Sequence, residues 1–74
     1  MTILLIIRAG ENYFRYSDDH FEPCTLSKAS VFSLEQAELA RQLCRKLAMT
    51  GVAGALLRKL TIVEEPFDQD LHQE

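Results

Sequence analysis

Asp18, Asp19 and His20 form the densest group of side chains in this sequence that could carry acid–base or hydrolytic chemistry. Such chemistry needs a second carboxylate or a bound metal close to the first group. Consecutive residues of an extended chain point in different directions, and aspartates are common where a chain leaves a strand. We therefore interpret this group as a turn and predict no catalytic residue in it.

A metal site would have to be assembled from donors that are scattered along the sequence: His20, Cys24, Cys44 and His72. Zinc sites usually contain paired close ligands, such as two cysteines separated by two to four residues. Nucleophilic catalysis by Cys24 would need an oxyanion-stabilising partner that the sequence does not indicate. The isolated glycines do not form a phosphate-binding pattern. The sequence predicts no metal, no cofactor and no enzymatic activity.

Basic and aromatic side chains suggest a second kind of chemistry, the binding of nucleic acid. Arg41 and Arg45 lie one turn apart on the outer side of a predicted helix, and Arg15 and Tyr16 belong to a predicted strand. Arginines bind phosphates and aromatic rings stack on bases. The arginines can instead pair with nearby glutamates. The net charge of −3 favours that interpretation over nucleic-acid binding. Nucleic-acid binding through these four residues stays an alternative.

The element that must position Arg41, Cys44 and Arg45 is an amphipathic helix over residues 33–51. Ser33 is a suitable N-cap, and Gln36 can complete a capping box with it. Gly51 is suited to end the helix in a left-handed conformation. The apolar face repeats at three- and four-residue steps and consists of Ala37, Ala40, Leu43, Cys44, Leu47 and Ala48.

Strands are predicted on both sides of the helix. Residues 2–7 form a continuous apolar run, and residues 9–12 have turn chemistry before an aromatic strand over residues 13–16, which together indicate a hairpin. A short edge strand over residues 24–26 is an alternative for the next segment. Residues 56–64 favour a strand; the other interpretation is a helical turn over residues 56–60 and a shorter strand.

These elements predict a small α+β fold with the order β-β-(β)-α-β. A mostly antiparallel sheet of three strands, or four with the short edge strand, carries the single helix on one face. Residues 1–66 form one domain, and residues 67–74 form a disordered acidic tail. A domain of 74 residues buries little surface, so a partner subunit would help to stabilise it.

One helix covers one face of a sheet, yet the first and last predicted strands are apolar on both faces. Exposed apolar patches of this kind usually mark an interface. We therefore expect a self-associating, non-enzymatic interaction module, a homodimer whose candidate interface residues are Leu5, Ile7, Leu57, Ile62 and Val63. In the other interpretation, the tail or residues 21–26 cover the second face. An inhibitor that presents the acidic residues 67–74 to a basic partner is a further alternative, and the identity of any protein partner stays open.

The expected location of the protein is the cytoplasm. The apolar residues 1–7 are too few to span a bilayer, and they lack the basic leader and cleavage site of a secretory signal. We expect no membrane partner. A Cys24–Cys44 disulfide is an alternative that a reducing cytoplasm disfavours.

Two segments carry a resemblance to known proteins: Ile6-Ile7-Arg8-Ala9-Gly10 followed by Tyr13, and the segment from Ala29 to Ala37 with the pattern A-x-x-F-x-x-x-x-A. Together with the closing Val/Glu-rich strand, the chain resembles small uncharacterised α+β proteins of phages and prophages. The resemblance spans most of the chain up to Pro66. It implies an accessory protein that acts by binding, and it assigns no activity and no functional residues.

Overall fold

A computed structural model of the protein describes residues 1–67. The chain forms β1 (Thr2–Ala9), β2 (Asn12–Ser17), β3 (His20–Cys24), β4 (Phe32–Ser33), α1 (Ala37–Met49) and β5 (Ala55–Ile62), with 3₁₀ turns at Leu26–Lys28 and Leu34–Gln36. The strands make one antiparallel sheet and α1 packs on it, which confirms the predicted α+β class.

Strand β1 is the centre of the sheet, because it pairs with three other strands. One edge of β1 pairs with β5 over all eight residues, from Thr2 opposite Ile62 to Ala9 opposite Ala55. The other edge is shared by β2, which pairs with the end of β1, and by β4, which pairs with Leu4 and Leu5. The continuous apolar run of β1 fits this central place.

The hairpins at β2 have two-residue turns of different kinds. Gly10 has a φ of 63° at the first position of the β1–β2 turn, as in a type II′ turn. Asp18 and Asp19 both have positive φ, 51° and 65°, as in a type I′ turn. The chain therefore reverses directly into β3 at His20, and the predicted edge strand at residues 24–26 is replaced by a longer strand that begins earlier.

Strand β4 and the residues before it fill a gap in the sheet. Strands β1 and β2 pair through only two residues each and then diverge. Ser30 enters the gap, where its N–H donates to the Phe14 carbonyl (3.1 Å) and its Oγ accepts from the Tyr16 N–H (2.9 Å). Counting β4, the sheet has five strands, more than the three or four predicted.

The helix follows its predicted capping. The Ser33 N–H donates to the Gln36 Oε1 at 3.0 Å, which completes a capping box, and the first turn is 3₁₀ before α1 begins at Ala37. Ala40, Leu43 and Leu47 are buried against the sheet, and Ala37 and Cys44 are half-buried beside them. Ala48 was predicted on this face but is exposed.

The core lies between α1 and one face of the sheet, which we call the covered face. Its sheet residues are alternate positions of β1 with one residue each from β2 and β4: Leu5, Ile7, Ala9, Phe14 and Phe32. Residues 55–62 form strand β5, as the favoured prediction had it, and the helical alternative for residues 56–60 is wrong. The predicted tail lies almost wholly outside the described residues; Phe67, its first residue, is exposed.

Candidate functional site

The side of the sheet opposite α1, which we call the open face, carries a group of apolar side chains outside the core. Because strand residues alternate between faces, the register of β1 with β5 puts on it Leu4, Ile6, Leu56, Leu60 and Ile62. Leu56 is 56% exposed and Ile62 is 45% exposed, whereas Ile6 is only 4% exposed. The face has a buried centre and an exposed apolar margin along β5.

Three arginines and a tyrosine share the open face with these apolar residues. Arg8 lies opposite Tyr13 in the β1–β2 hairpin, with its guanidinium 5.3 Å from the ring centroid, and its Nε donates to the Gly10 carbonyl at 2.7 Å. Arg58 lies opposite Ile6, and Arg15 lies on the same side of β2. Within residues 1–67, none of the three arginines forms an ion pair.

The outer edge of β5 adjoins the exposed margin of the open face. In the described part of the chain, β5 pairs with β1 alone, so alternate residues of its eight present their backbone donors and acceptors on the other edge. We call this edge, together with Leu56, Leu60 and Ile62, the β5 surface. An extended partner can bind such an edge through main-chain hydrogen bonds.

The structure separates the five predicted interface residues. Leu5 and Ile7 are buried in the core beneath α1, so their assignment to an exposed interface is corrected. Leu57 is half-buried and packs against the same core. Ile62 and Val63 are exposed at the end of β5. The first strand was correctly identified as apolar on both faces, but the side chains of Leu5, Ile7 and Ala9 are covered within the chain.

The four predicted nucleic-acid contacts do not come together either. Arg15 lies on the open face, whereas Tyr16 lies on the covered face, with its ring 4.8 Å from that of Phe21 and the Lys46 Nζ 5.9 Å away. Arg41 and Arg45 lie on the outer side of α1 and both pair with Glu38, at 3.3 and 3.6 Å. Those contacts are therefore not one surface.

The Asp18, Asp19 and His20 group is an exposed turn. The Tyr16 hydroxyl donates to the Asp19 carboxylate at 3.0 Å, and the His20 ring lies 3.7 Å from Glu22. Among residues 1–67, no three histidine, cysteine or acidic side chains are arranged to hold a metal ion. His72 lies outside the described residues. These contacts hold the turn and the strand beside it.

Both cysteines are free and half-buried. Cys24 lies on the edge strand β3, and Cys44 lies beside the core on α1. Burial disfavours the thiolate and raises the pKa of the Cys44 thiol above its ordinary value of 9.0. A raised pKa leaves Cys44 in its unreactive thiol form at neutral pH. It behaves as a small apolar residue of the helix face.

A groove of about 520 Å³ lies on the covered face, between the end of α1 and the β2–β3 hairpin. Its apolar lining comes from Phe14, Phe21, Pro23, Leu47 and Val52. Most of these side chains belong to the core or pack directly against it. We therefore regard the groove as the margin of the core, and we assign the candidate site to the β5 surface and the open face.

Sequence reasoning missed Arg8, Arg58 and Tyr13 as members of one surface. The signal was present in the alternation of β1, where the even positions carry Leu4, Ile6 and Arg8. The positions of β5 that share this face could be known only from the pairing of Thr2 with Ile62.

No helix within residues 1–67 has the length and apolar character needed to cross a membrane. Comparison of the chain with models of protein families, with curated proteins and with solved structures finds no match. The functional assignment therefore depends on the geometry of the β5 surface and the open face.

Proposed function

We propose that this protein is a small non-enzymatic interaction module that forms a homodimer through the β5 surface. The observation that carries the proposal is the exposure of large apolar side chains at an unpaired strand edge: Leu56, Ile62 and Val63. Exposed apolar groups beside free backbone donors and acceptors favour association. Burial of this surface would also offset the small core of a 74-residue domain.

The cytoplasmic location and the accessory role of the phage or prophage type belong to the same proposal. They are supported by the sequence resemblance and by the composition of the chain. A module that acts by binding needs only a stable scaffold and one well-defined surface. A protein partner would bind a surface that the homodimer leaves uncovered.

Substitution of Ile62 by glutamate is the direct test of the homodimer. We expect the wild-type protein to have twice its chain mass of 8.4 kDa in size-exclusion chromatography with light scattering, at both moderate and high salt. Ile62→Glu should be a monomer, because it places a charge among the apolar side chains through which the two copies associate. Leu39→Glu is the matched control: Leu39 is 46% exposed, against 45% for Ile62, but lies on α1.

The control should remain dimeric, and circular dichroism should show native helix and strand content in both variants. A wild-type monomer at concentrations of tens of micromolar would contradict the homodimer. So would a folded Ile62→Glu variant that keeps the wild-type mass.

A second candidate function, binding of single-stranded nucleic acid, is favoured by the arginines of the open face. Arg8, Arg15 and Arg58 share one face of the sheet with Tyr13 and a set of apolar side chains. Arginines that contact phosphates and a ring that stacks on a base are the components of such a site. This candidate keeps Arg15 from the sequence-based set and replaces Tyr16, Arg41 and Arg45.

Salt dependence and arginine substitutions test this candidate by fluorescence polarisation with a labelled single-stranded oligonucleotide. Three phosphate contacts on a single strand give a log–log salt slope of about −2, so affinity should fall about 20-fold between 50 and 200 mM salt. Arg15→Ala and Arg58→Ala should weaken binding, and Arg41→Ala should not. Absence of binding at low salt, or equal losses in all three variants, would contradict this candidate.

A further inference from the structure

We propose that two copies of the chain pair antiparallel along the outer edges of β5, in the register that places Arg58 of one copy opposite Glu64 of the other. This inference rests on the homodimer proposed above and specifies its geometry. The pairing would join the two sheets into one continuous sheet around a two-fold axis.

The two outer edges of the sheet differ in their capacity to pair. The β3 edge contains Pro23, which has no N–H to donate and so interrupts a ladder. The β5 edge is eight residues long and contains no proline. Pairing along the β3 edge is therefore interrupted, whereas the β5 edge can form a ladder over its whole length.

The chain beyond β5 also lacks a partner strand within residues 1–67. The last pair with β1 joins Ile62 to Thr2, so residues 63–67 extend past that pair. All five of these residues are exposed. A second copy of β5 running in the opposite direction would lie beside this extension and supply its pairing partner.

Symmetry restricts the possible registers. Antiparallel pairing of two identical edges requires a two-fold axis perpendicular to the sheet, which keeps the open face of both copies on one side. Residues that lie opposite each other must then be on the same face, so both have even numbers or both have odd numbers. In each possible register one residue of β5 therefore lies opposite its own copy, and we call the register centred on that residue. Centring on Arg58 or Lys59 places that cation opposite its own copy, which is unfavourable.

On the open face the register centred on Thr61 matches both charge and apolarity, whereas on the covered face it places Lys59 opposite Val63. On the open face it places Arg58 opposite Glu64 and Leu60 opposite Ile62, each twice by symmetry. The register centred on Ile62 pairs Lys59 with Glu65, but it places Leu60 opposite Glu64 and Arg58 opposite Pro66. Centring on Leu60 pairs no opposite charges. The exposed large apolar side chains of β5 lie on the open face, and the pairs on that face favour Thr61.

A charge exchange tests the register. Arg58→Glu and Glu64→Arg should each raise the dimer dissociation constant about tenfold, since each creates two like-charge pairs. The double variant Arg58→Glu/Glu64→Arg should restore the wild-type value. The matched control is Lys59→Glu/Glu65→Arg, whose two single effects should simply add. Dissociation constants come from sedimentation equilibrium.

A cysteine at the symmetry axis gives an independent measurement. In a chain with Cys24→Ser and Cys44→Ala, Thr61→Cys should form a disulfide-linked dimer under mild oxidation. Residues facing each other in an antiparallel pair have Cα atoms about 4.5–5.5 Å apart, within the range that a disulfide spans. Met49→Cys, on exposed α1, should not cross-link in the same background.

The outcomes separate this inference from the homodimer itself. A monomeric wild type overturns both. A stable dimer with additive Arg58 and Glu64 effects and no Thr61→Cys cross-link overturns only the edge pairing and its register. Restoration by the Lys59 and Glu65 exchange instead overturns the Thr61 register in favour of the one centred on Ile62. Restoration by Arg58→Glu/Glu64→Arg together with the cross-link supports the inference.

Discussion

Replacement of Leu47 by alanine is expected to lower the free energy of unfolding by about 3 kcal/mol. Leu47 is 2% exposed and belongs to the cluster that joins α1 to the covered face. Removal of its buried methyl groups loses their transfer free energy and leaves a cavity that the sheet cannot close. A domain of this size is expected to be stable by about 4–11 kcal/mol, so the loss is a large fraction of the total.

Urea unfolding followed by circular dichroism measures this loss. Leu39→Ala is the control, because Leu39 lies on the exposed side of the same helix and its removal should change stability by less than about 0.5 kcal/mol. Both variants must be compared at one protein concentration, because self-association would add concentration-dependent stability. Equal losses for Leu47→Ala and Leu39→Ala would mean that α1 does not pack on the sheet in this orientation.

Enlargement of Ala40 to leucine is expected to destabilise the protein by about 1–3 kcal/mol. Ala40 has no exposed surface and lies on the side of α1 that faces the sheet. A larger side chain at this position must push the helix away from β1 or adopt a strained rotamer. This substitution overpacks the core, whereas Leu47→Ala leaves a cavity in it. It therefore tests the distance between the helix and the sheet.

Ala48→Leu is the matched control for this prediction. The spacing of apolar residues placed Ala48 on the same helix face, but the structure leaves it exposed. The same enlargement should therefore be close to neutral there in urea unfolding. If Ala48→Leu destabilised the protein and Ala40→Leu did not, α1 would have to face the sheet with a different side from the one described.

The helix was the most predictable element because its signals are local. The Ser33–Gln36 capping box, the three- and four-residue spacing and the positive φ of Gly51 each depend on a few neighbouring residues. The exception, Ala48, lies near the helix end, where the face that packs on the sheet is set by tertiary contacts. The spacing of apolar residues alone could not show where along α1 the contact with the sheet ends.

The β2–β3 hairpin was harder to predict because two aspartates occupy its turn. Type I′ turns usually carry Asn-Gly or Asp-Gly, since both central residues need positive φ. Asp18 and Asp19 indicated only that the strand ends, and so the start of β3 at His20 was missed. The two-residue strand β4 was also missed, because it depends on the gap between β1 and β2 rather than on its own composition.

The candidate site was predictable in its character but not in its members. The apolar nature of the first and last strands on both faces pointed to an exposed apolar surface, and Ile62 and Val63 are exposed. Which residues of β1 remain uncovered depends on the face that α1 occupies. Leu5 and Ile7 are on that face, while Arg8 and Arg58 reach one surface only through the register of β1 and β5.

The place of β1 at the centre of the sheet has a consequence for synthesis on the ribosome. Its apolar side chains emerge well before β5, the strand that pairs with its whole length, because the hairpin, the helix and their connections come between them. Translation adds only about 5–20 residues per second, so the edge of β1 that pairs with β5 lacks its partner for seconds while the rest of the chain follows. Folding of this domain is therefore expected to be completed only after Ile62 has left the exit tunnel.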